Sequence, residues 1–219
     1  MDTKRNSLIA IFLLNFSSIA FTNQQPTNTS VLDLDGNLLQ TNTKYYILPL
    51  DGGGGDGGGL ALSVRDPRDP CPPNVVQENE EGSAGLSLKF FPLDREQPQA
   101  TSVSMSSDMN IAFMAATTCV QRTVWRIGVA DWTTGRRYVR TGGVLGRPGA
   151  ETVREWFKIE KYGKGYKIGY CPSVCSECRV ECGEVGVFVE DGRRWLGLGG
   201  QPLVIAFKKV VIKPLEVKF

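Results

Sequence analysis

The residues with the greatest chemical capacity in this 219-residue chain are six cysteines, at positions 71, 119, 171, 175, 178 and 182. The last four read C-x3-C-x2-C-x3-C. That spacing invites a nested pair of disulfides, Cys171 with Cys182 outside and Cys175 with Cys178 inside, which leaves Cys71 to close a long loop with Cys119. The competing chemistry is a four-thiolate zinc site, because short C-x2-C steps also suit tetrahedral coordination. Paired carboxylates are the next candidates: Asp33 with Asp35, and Glu78 with Glu80 and Glu81. The first pair belongs to an Asp35-Gly36 turn signal, where Asp serves local hydrogen bonding, and no Asp-Thr-Gly or Asp-Ser-Gly motif accompanies either group. Histidine is absent altogether. That removes the Ser/His/Asp triad, the Cys/His pair, His-ligated zinc and the ordinary neutral-pH base. An enzyme is therefore not expected, and no cofactor or metal is implied.

Charge and aromatic content narrow the partners. Lys plus Arg number 25 against 23 Asp plus Glu, a net charge of +2 with no basic stripe, which argues against nucleic acid. Arg136, Arg137 and Arg140, and Lys208 with Lys209, read as small solvated basic faces. Among the tryptophans, Trp125 and Trp156 are expected in the core, whereas Trp132 and Trp195 are left open between packing and stacking on a ligand.

The elements that must hold these groups begin with an export signal. Lys4 and Arg5 precede an apolar run from Leu8 to Leu14, followed by Ser17, Ser18 and Ala20, which reads as a secretory signal peptide over about residues 1–22. The run falls short of the roughly 20 residues needed to span a membrane. Residues 23–219 are then expected to form one domain, secreted or vacuolar, monomeric, and in an oxidising compartment that preserves disulfides. Asn28-Thr29-Ser30 is a glycosylation sequon, so Asn28 is a candidate glycan site.

Secondary structure reads as all-β. Runs at 44–48, 75–76, 86–91, 110–113, 123–129, 156–159, 166–170, 185–189 and 203–208 are rich in β-branched and aromatic residues and are separated by turn signals such as Asp191-Gly192. No 3.6-residue apolar period persists, so no long helix is predicted, and about a dozen short strands point to a sandwich or closed barrel. The tract DGGGGDGGG at 51–59 lacks the Lys-Ser/Thr of a phosphate loop and reads as a flexible connector. KYYILPL, TVWRIGV and GYKIGYCP suggest three related units.

Several longer motifs occur in a telling order: VLDLDGNLLQTNTKYYIL at 31–48, GGGL at 57–60, CPPNVVQ at 71–77, SSDMNIAF at 106–113, TVWRIG at 123–128, GRPGAETVREWFKIEK at 146–161 and YKIGYCPSVCSECRVECGEVGVF at 166–188. Together they resemble plant Kunitz-type (soybean trypsin inhibitor-like) proteins, and the four-cysteine cluster with PGAETVREWFKIE resembles the miraculin-like subgroup. The resemblance implies a β-trefoil of six two-stranded hairpins in three pseudo-repeats. It also implies three disulfides, Cys71 with Cys119, Cys171 with Cys182 and Cys175 with Cys178, in agreement with the spacing.

The resemblance further implies inhibition of an endopeptidase, serine type favoured and cysteine type the alternative, by a substrate-like loop between the fourth and fifth strands. In this chain that loop is Phe91-Pro92-Leu93-Asp94-Arg95-Glu96-Gln97-Pro98. Arg95 is its only basic residue and the favoured P1, suited to an acidic specificity pocket. Three departures bear on this. Thr41, with Asn42 one place along, stands where inhibitory members carry a loop-supporting Asn. Asp94 and Glu96 flank Arg95 and partly neutralise it. The segment from Pro92 to Ile111 runs longer than the family pattern, which makes Asp94 the alternative P1. The competing expectations are an ordinary solvated loop around Arg95 and, for the protein, a non-inhibitory defence, storage or binding role.

Overall fold

Tyr45 with Ile47, and Leu88 with Phe90, alternate with half-buried neighbours, so every second side chain points into a core. In the computed structural model, which describes residues 29–50, 57–93, 101–119, 122–199 and 202–211, this pattern produces twelve strands. They are β1 (Tyr45–Pro49), β2 (Leu60–Ser63), β3 (Asn74–Gln77), β4 (Leu88–Pro92), β5 (Met109–Phe113), β6 (Arg126–Ile127), β7 (Arg137–Arg140), β8 (Lys158–Tyr162), β9 (Gly165–Tyr170), β10 (Gly183–Glu190), β11 (Arg193–Leu198) and β12 (Ile205–Lys209). The one helical element among the described residues is a 3-10 turn, Ala150–Glu155.

Six strands close a barrel. β1 pairs with β12 and β4, β4 with β5, and β9 with β8 and β12. The circle is completed where Met109 and Phe157 exchange backbone hydrogen bonds of 2.9 Å. The other six strands are the hairpins β2–β3, β6–β7 and β10–β11. Their inner strands pair with one another all the way round: Asn74 of β3 with Arg140 of β7, Tyr138 of β7 with Gly197 of β11, and Trp195 of β11 with Val76 of β3. A closed barrel capped by three mutually paired hairpins is a β-trefoil, and closure leaves the barrel without free sheet edges.

The interior is packed by aromatics set edge to face, Phe90 on Phe207 at 5.3 Å and Trp125 on Phe157 at 6.0 Å. Burying such a side chain contributes about 2–3 kcal/mol. Trp125 is in this interior and Trp156 is buried beside the 3-10 turn, its indole N–H donating to the Thr152 hydroxyl at 3.4 Å, so both are in the core as expected. Trp195 belongs to a smaller cluster with Ala61, Val76 and Tyr138 on the face of the cap strands turned away from the main core, whereas Trp132 is 93% exposed.

All six cysteines are paired, Cys71–Cys119, Cys171–Cys182 and Cys175–Cys178. A four-thiolate zinc site therefore has no ligands. The Asp191-Gly192 signal is a two-residue turn between β10 and β11 with both residues at positive φ, 49° and 72°.

Three expectations need correction. Strands β2, β7 and β11 were not apparent, because LALS and RYVR are only four residues long and Arg or Gly interrupts the apolar residues of RYVR and RRWLGL. KYYILPL and GYKIGYCP do open the first and third units as β1 and β9, but TVWRIGV contains β6; the second unit opens with β5. The glycine tract is no simple connector at its end. A Cβ on Gly58 would lie 2.5 Å from the Glu80 carbonyl oxygen, and one on Gly59 2.2 Å from that of Ala84, so these residues are glycine because backbone crosses backbone there. Residues 51–56 of the tract lie outside the described residues.

Candidate functional site

The loop expected to carry function leaves β4 at Pro92 and returns at Thr101, and both stems are firmly held. On the outgoing side Pro92 pairs with Met109 of β5, and the Leu93 N–H donates to the Asp108 carbonyl at 2.7 Å. Asp108 is itself buried, because its carboxylate accepts the N–H of Ser173 at 3.0 Å together with the Ser173 hydroxyl, and faces the Lys158 ammonium at 3.7 Å. Ser173 sits between Cys171 and Cys175, so the four-cysteine segment braces the base of the loop.

On the returning side the Thr101 carbonyl accepts the Thr41 N–H at 2.9 Å and its hydroxyl at 3.5 Å. Gln40 bridges Ser102, and Val103, fully buried, lies between Leu39 and Val31 with backbone bonds of 2.8 and 3.1 Å. This N-terminal ribbon is tied to the barrel: the Tyr45 hydroxyl accepts the Gln40 N–H at 3.0 Å, and the Tyr166 hydroxyl that of Leu32 at 2.9 Å. Burial pushes the Tyr45 phenol above its ordinary range, which keeps it neutral.

Of the residues picked out from sequence, Pro92, Leu93 and Thr41 are thus brought to the mouth of one loop. Asn42 is exposed in the adjoining turn. Asp94, Arg95 and Glu96, the glycan candidate Asn28 and the segment 1–22 lie outside the described residues. Asp33 and Asp35 do not form an acid–base pair: Asp33 Oδ1 accepts the N–H groups of Asp35 and Asn37 at 3.0 and 2.9 Å, a turn brace.

A second polar constellation, missed in the sequence, lies in the cap. The Arg65 guanidinium donates to Asp131 at 2.7 Å and to Glu190 at 2.9 Å, and Arg136 donates to the other Glu190 oxygen at 2.6 Å. The Tyr138 hydroxyl also donates to Glu190. Burial raises the Glu190 carboxyl, but the bonds from Tyr138, Arg65 and Arg136 outweigh it and hold the group below its usual range. Asp131 behaves alike, burial being outweighed by bonds from Thr134 and Arg65. The basic residues read as solvated faces are therefore partly corrected. Arg136 pairs with Glu190, Arg137 lies 3.5 Å from Glu181 and Arg140 3.6 Å from Asp69, while Lys208 and Lys209 are exposed.

Comparison with known proteins decides the family. The Kunitz legume family profile, described as trypsin and protease inhibitor, matches residues 31–209. The chain belongs to the Kunitz legume family. Miraculin from Synsepalum dulcificum is 44% identical over 188 residues, covering 83% of each chain. Kunitz trypsin inhibitor 5 from Arabidopsis thaliana is 40% identical over 206 residues, 93% of this chain and 98% of the relative. Among solved structures, a Kunitz-type cysteine protease inhibitor from potato superposes with a TM-score of 0.69 at 32% identity, over 84% of this chain and 98% of that one. Membership in the Kunitz family accounts for the trefoil, and it makes protease inhibition the activity that the homologues support. The disulfide pairing implied by the Kunitz resemblance is the one present.

Proposed function

We propose that this chain is exported after removal of about residues 1–22, to an extracellular or vacuolar space, and inhibits a serine endopeptidase with the loop that follows β4. The observation that carries the reading is the family match across residues 31–209. Support for the mechanism comes from the two stems: Leu93 is held by Asp108 and Thr101 by Thr41, so the ends of the loop are fixed before any partner arrives. A pre-organised segment loses little ordering entropy on entering a cleft, and protease–inhibitor contacts of about 1,600 Å² reach high affinity for that reason. In this reading Arg95 enters the specificity pocket as P1, with Asp94 the alternative, while Pro92 and Pro98 stiffen the flanks by fixing φ. The protein supplies no catalytic group. The histidine of the reaction belongs to the partner, in keeping with a family of inhibitors and related non-catalytic proteins.

The second reading, a non-inhibitory miraculin-like defence or storage protein, is favoured by the 44% identity to Miraculin and by Thr41 in place of the expected Asn. Titrating trypsin, chymotrypsin, subtilisin and papain with the mature protein separates the two. Stoichiometric inhibition of trypsin that disappears in Arg95→Ala supports the first reading, and papain inhibition alone redirects it to a cysteine protease. No inhibition of any of the four with the disulfides intact sinks it and leaves the second. N-terminal sequencing of the exported protein tests the cleavage.

A further inference from the structure

The tips of all three cap hairpins converge on one groove of about 780 Å³. The β2–β3 loop contributes Arg65 and Arg68, the β6–β7 loop Asp131 and Trp132, and the β10–β11 turn Glu190 and Arg193. Its floor is locked before any ligand arrives, because Arg65 joins Asp131 to Glu190 and Glu190 holds Arg136.

At 93% exposure, Trp132 is the most exposed large apolar side chain among the described residues, and it stands on a stiff turn. Asp131 Oδ1 accepts the N–H groups of Thr133 and Thr134 at 3.1 and 2.9 Å and the Thr134 hydroxyl at 3.0 Å. The Asp131 N–H donates to Arg136, and the Asp131 carbonyl accepts the Gly135 N–H, at 2.8 Å each. A large flat apolar surface is thus offered to solvent on a backbone that is already ordered.

The charges of the groove cancel locally: Arg65 with Asp131 and Glu190, Arg136 with Glu190, Arg68 with Asp66 at 3.1 Å. Arg193 is held by the Ser63 hydroxyl at 2.7 Å, with Asp191 two residues before it in the same turn. No net field is left to recruit an ion. Carboxylate acceptors, guanidinium donors and threonine hydroxyls are instead arrayed beside one aromatic face. A sugar ring matches this combination, since it has one C–H face to lie on an aromatic plane and a fringe of hydroxyls that donate and accept at once. A protein hot spot would be ringed by contacts that exclude water, whereas Trp132 is followed by Thr133 and Thr134 and preceded by an ion-paired Asp131.

We propose that this groove binds a neutral oligosaccharide, with Trp132 as the stacking platform and Arg68, Arg193 and the exposed edge of the Arg65–Asp131–Glu190 network as its hydrogen-bonding rim. The site lies on the cap hairpins and uses no residue of the β4–β5 loop, so it stands or falls independently of protease inhibition.

The test titrates the mature protein with cellohexaose, mannohexaose, chitohexaose and xylohexaose, followed by calorimetry and tryptophan fluorescence. Saturable binding to at least one of them is expected, weakened about tenfold or more in Trp132→Ala and about threefold in Arg68→Ala, with Trp132→Phe recovering part of the loss. Both replaced side chains are exposed, and the thermal midpoint of each variant shows whether the fold is retained. No saturable binding to any of the four overturns the proposal, as does equal binding by Trp132→Ala. So does retention only of a sulfated or uronic polysaccharide that salt abolishes, or of a protein partner that none of these sugars displaces.

Discussion

Barrel and cap hold six strands each among the described residues and share one core, and the cap adds a second layer secured by different forces. In the barrel, Tyr45, Ile47, Leu88, Phe90, Met109, Phe157 and Phe207 are no more than 1% exposed, and the cluster they form is apolar or aromatic throughout. The cap strands share that cluster through Leu60, Val75, Ile127, Val139, Val185 and Leu196, while their opposite face carries a smaller buried set, Ala61, Val76, Tyr138 and Trp195. Guanidinium groups cover it, with Arg65 lying 4.0 Å above the Tyr138 ring and Arg136 4.4 Å above that of Phe188, each tied in turn to Glu190. Hydrocarbon burial is strong, unaffected by pH and tolerant of exact partners, whereas a partly buried ion network depends on each member being present. The shared core therefore carries stability while the outer face of the cap and its hairpin tips remain free to present polar groups.

Removing a barrel aromatic should have the largest effect. Phe90→Ala is expected to cost about 3–5 kcal/mol in urea unfolding, the ordinary loss for a large core truncation. Next comes the disulfide that ties the β2–β3 loop to the segment before β6. Replacing Cys71 and Cys119 by Ala opens a 48-residue loop and should cost about 3–4 kcal/mol. Cys175 and Cys178 enclose a separation of only 3, so their removal should cost less than half as much, about 1.5 kcal/mol.

Glu190→Gln should cost about 1–2 kcal/mol at neutral pH, because Arg65 and Arg136 lose their shared anion in a half-exposed setting. A loss as large as that of Phe90→Ala would break the distinction between the two regions. Acid sharpens it. The Glu190 and Asp131 carboxyls lie below their ordinary range when folded, so the stability they contribute is present above that range and lost as the pH falls through the folded values, below about pH 4. Glu155 has the opposite sign. Burial raises it against the Val144 N–H bond and Arg126, so its contribution is greatest in acid and declines as the pH rises through its folded value. Hydrogen exchange at pH 3 should thus open the cap hairpins before the barrel strands, and Glu155→Gln should flatten the decline on the neutral side. Trp132→Ala should change stability by less than about 0.5 kcal/mol, since the side chain covers almost nothing.

The same contrast explains what could be read in advance. Each barrel strand carries an apolar or aromatic signal within five or six residues, as in YYILP and MNIAF. The missed strands β2, β7 and β11 all lie in the cap, where the arginines of RYVR and RRWLGL take polar partners and interrupt the apolar signal of Tyr138, Val139, Trp195 and Leu196. A Cβ on Gly197 would lie 2.7 Å from the Phe188 ring, so this strand residue is glycine for reasons that lie in its neighbours. At the loop mouth, Pro92, Leu93 and Thr41 were accessible through the family resemblance. The Asp108–Ser173 brace was not, because its partners are 65 residues apart in two separate motifs and nothing local pairs them.

By itself the sequence determined the barrel strands, the Asp191-Gly192 turn, the lack of an imidazole and, through cysteine spacing, the favoured disulfide pairing. These are encoded between residues that are near neighbours along the chain or, for the cysteines, by counting. Only the tertiary structure decided that Trp195 is buried and Trp132 bare, and that Arg136 is paired. It alone gathers Arg65, Asp131 and Glu190, up to 125 residues apart, into one network. Burial and ion pairing depend on which side chains barrel closure brings alongside, and that proximity has no counterpart in local sequence.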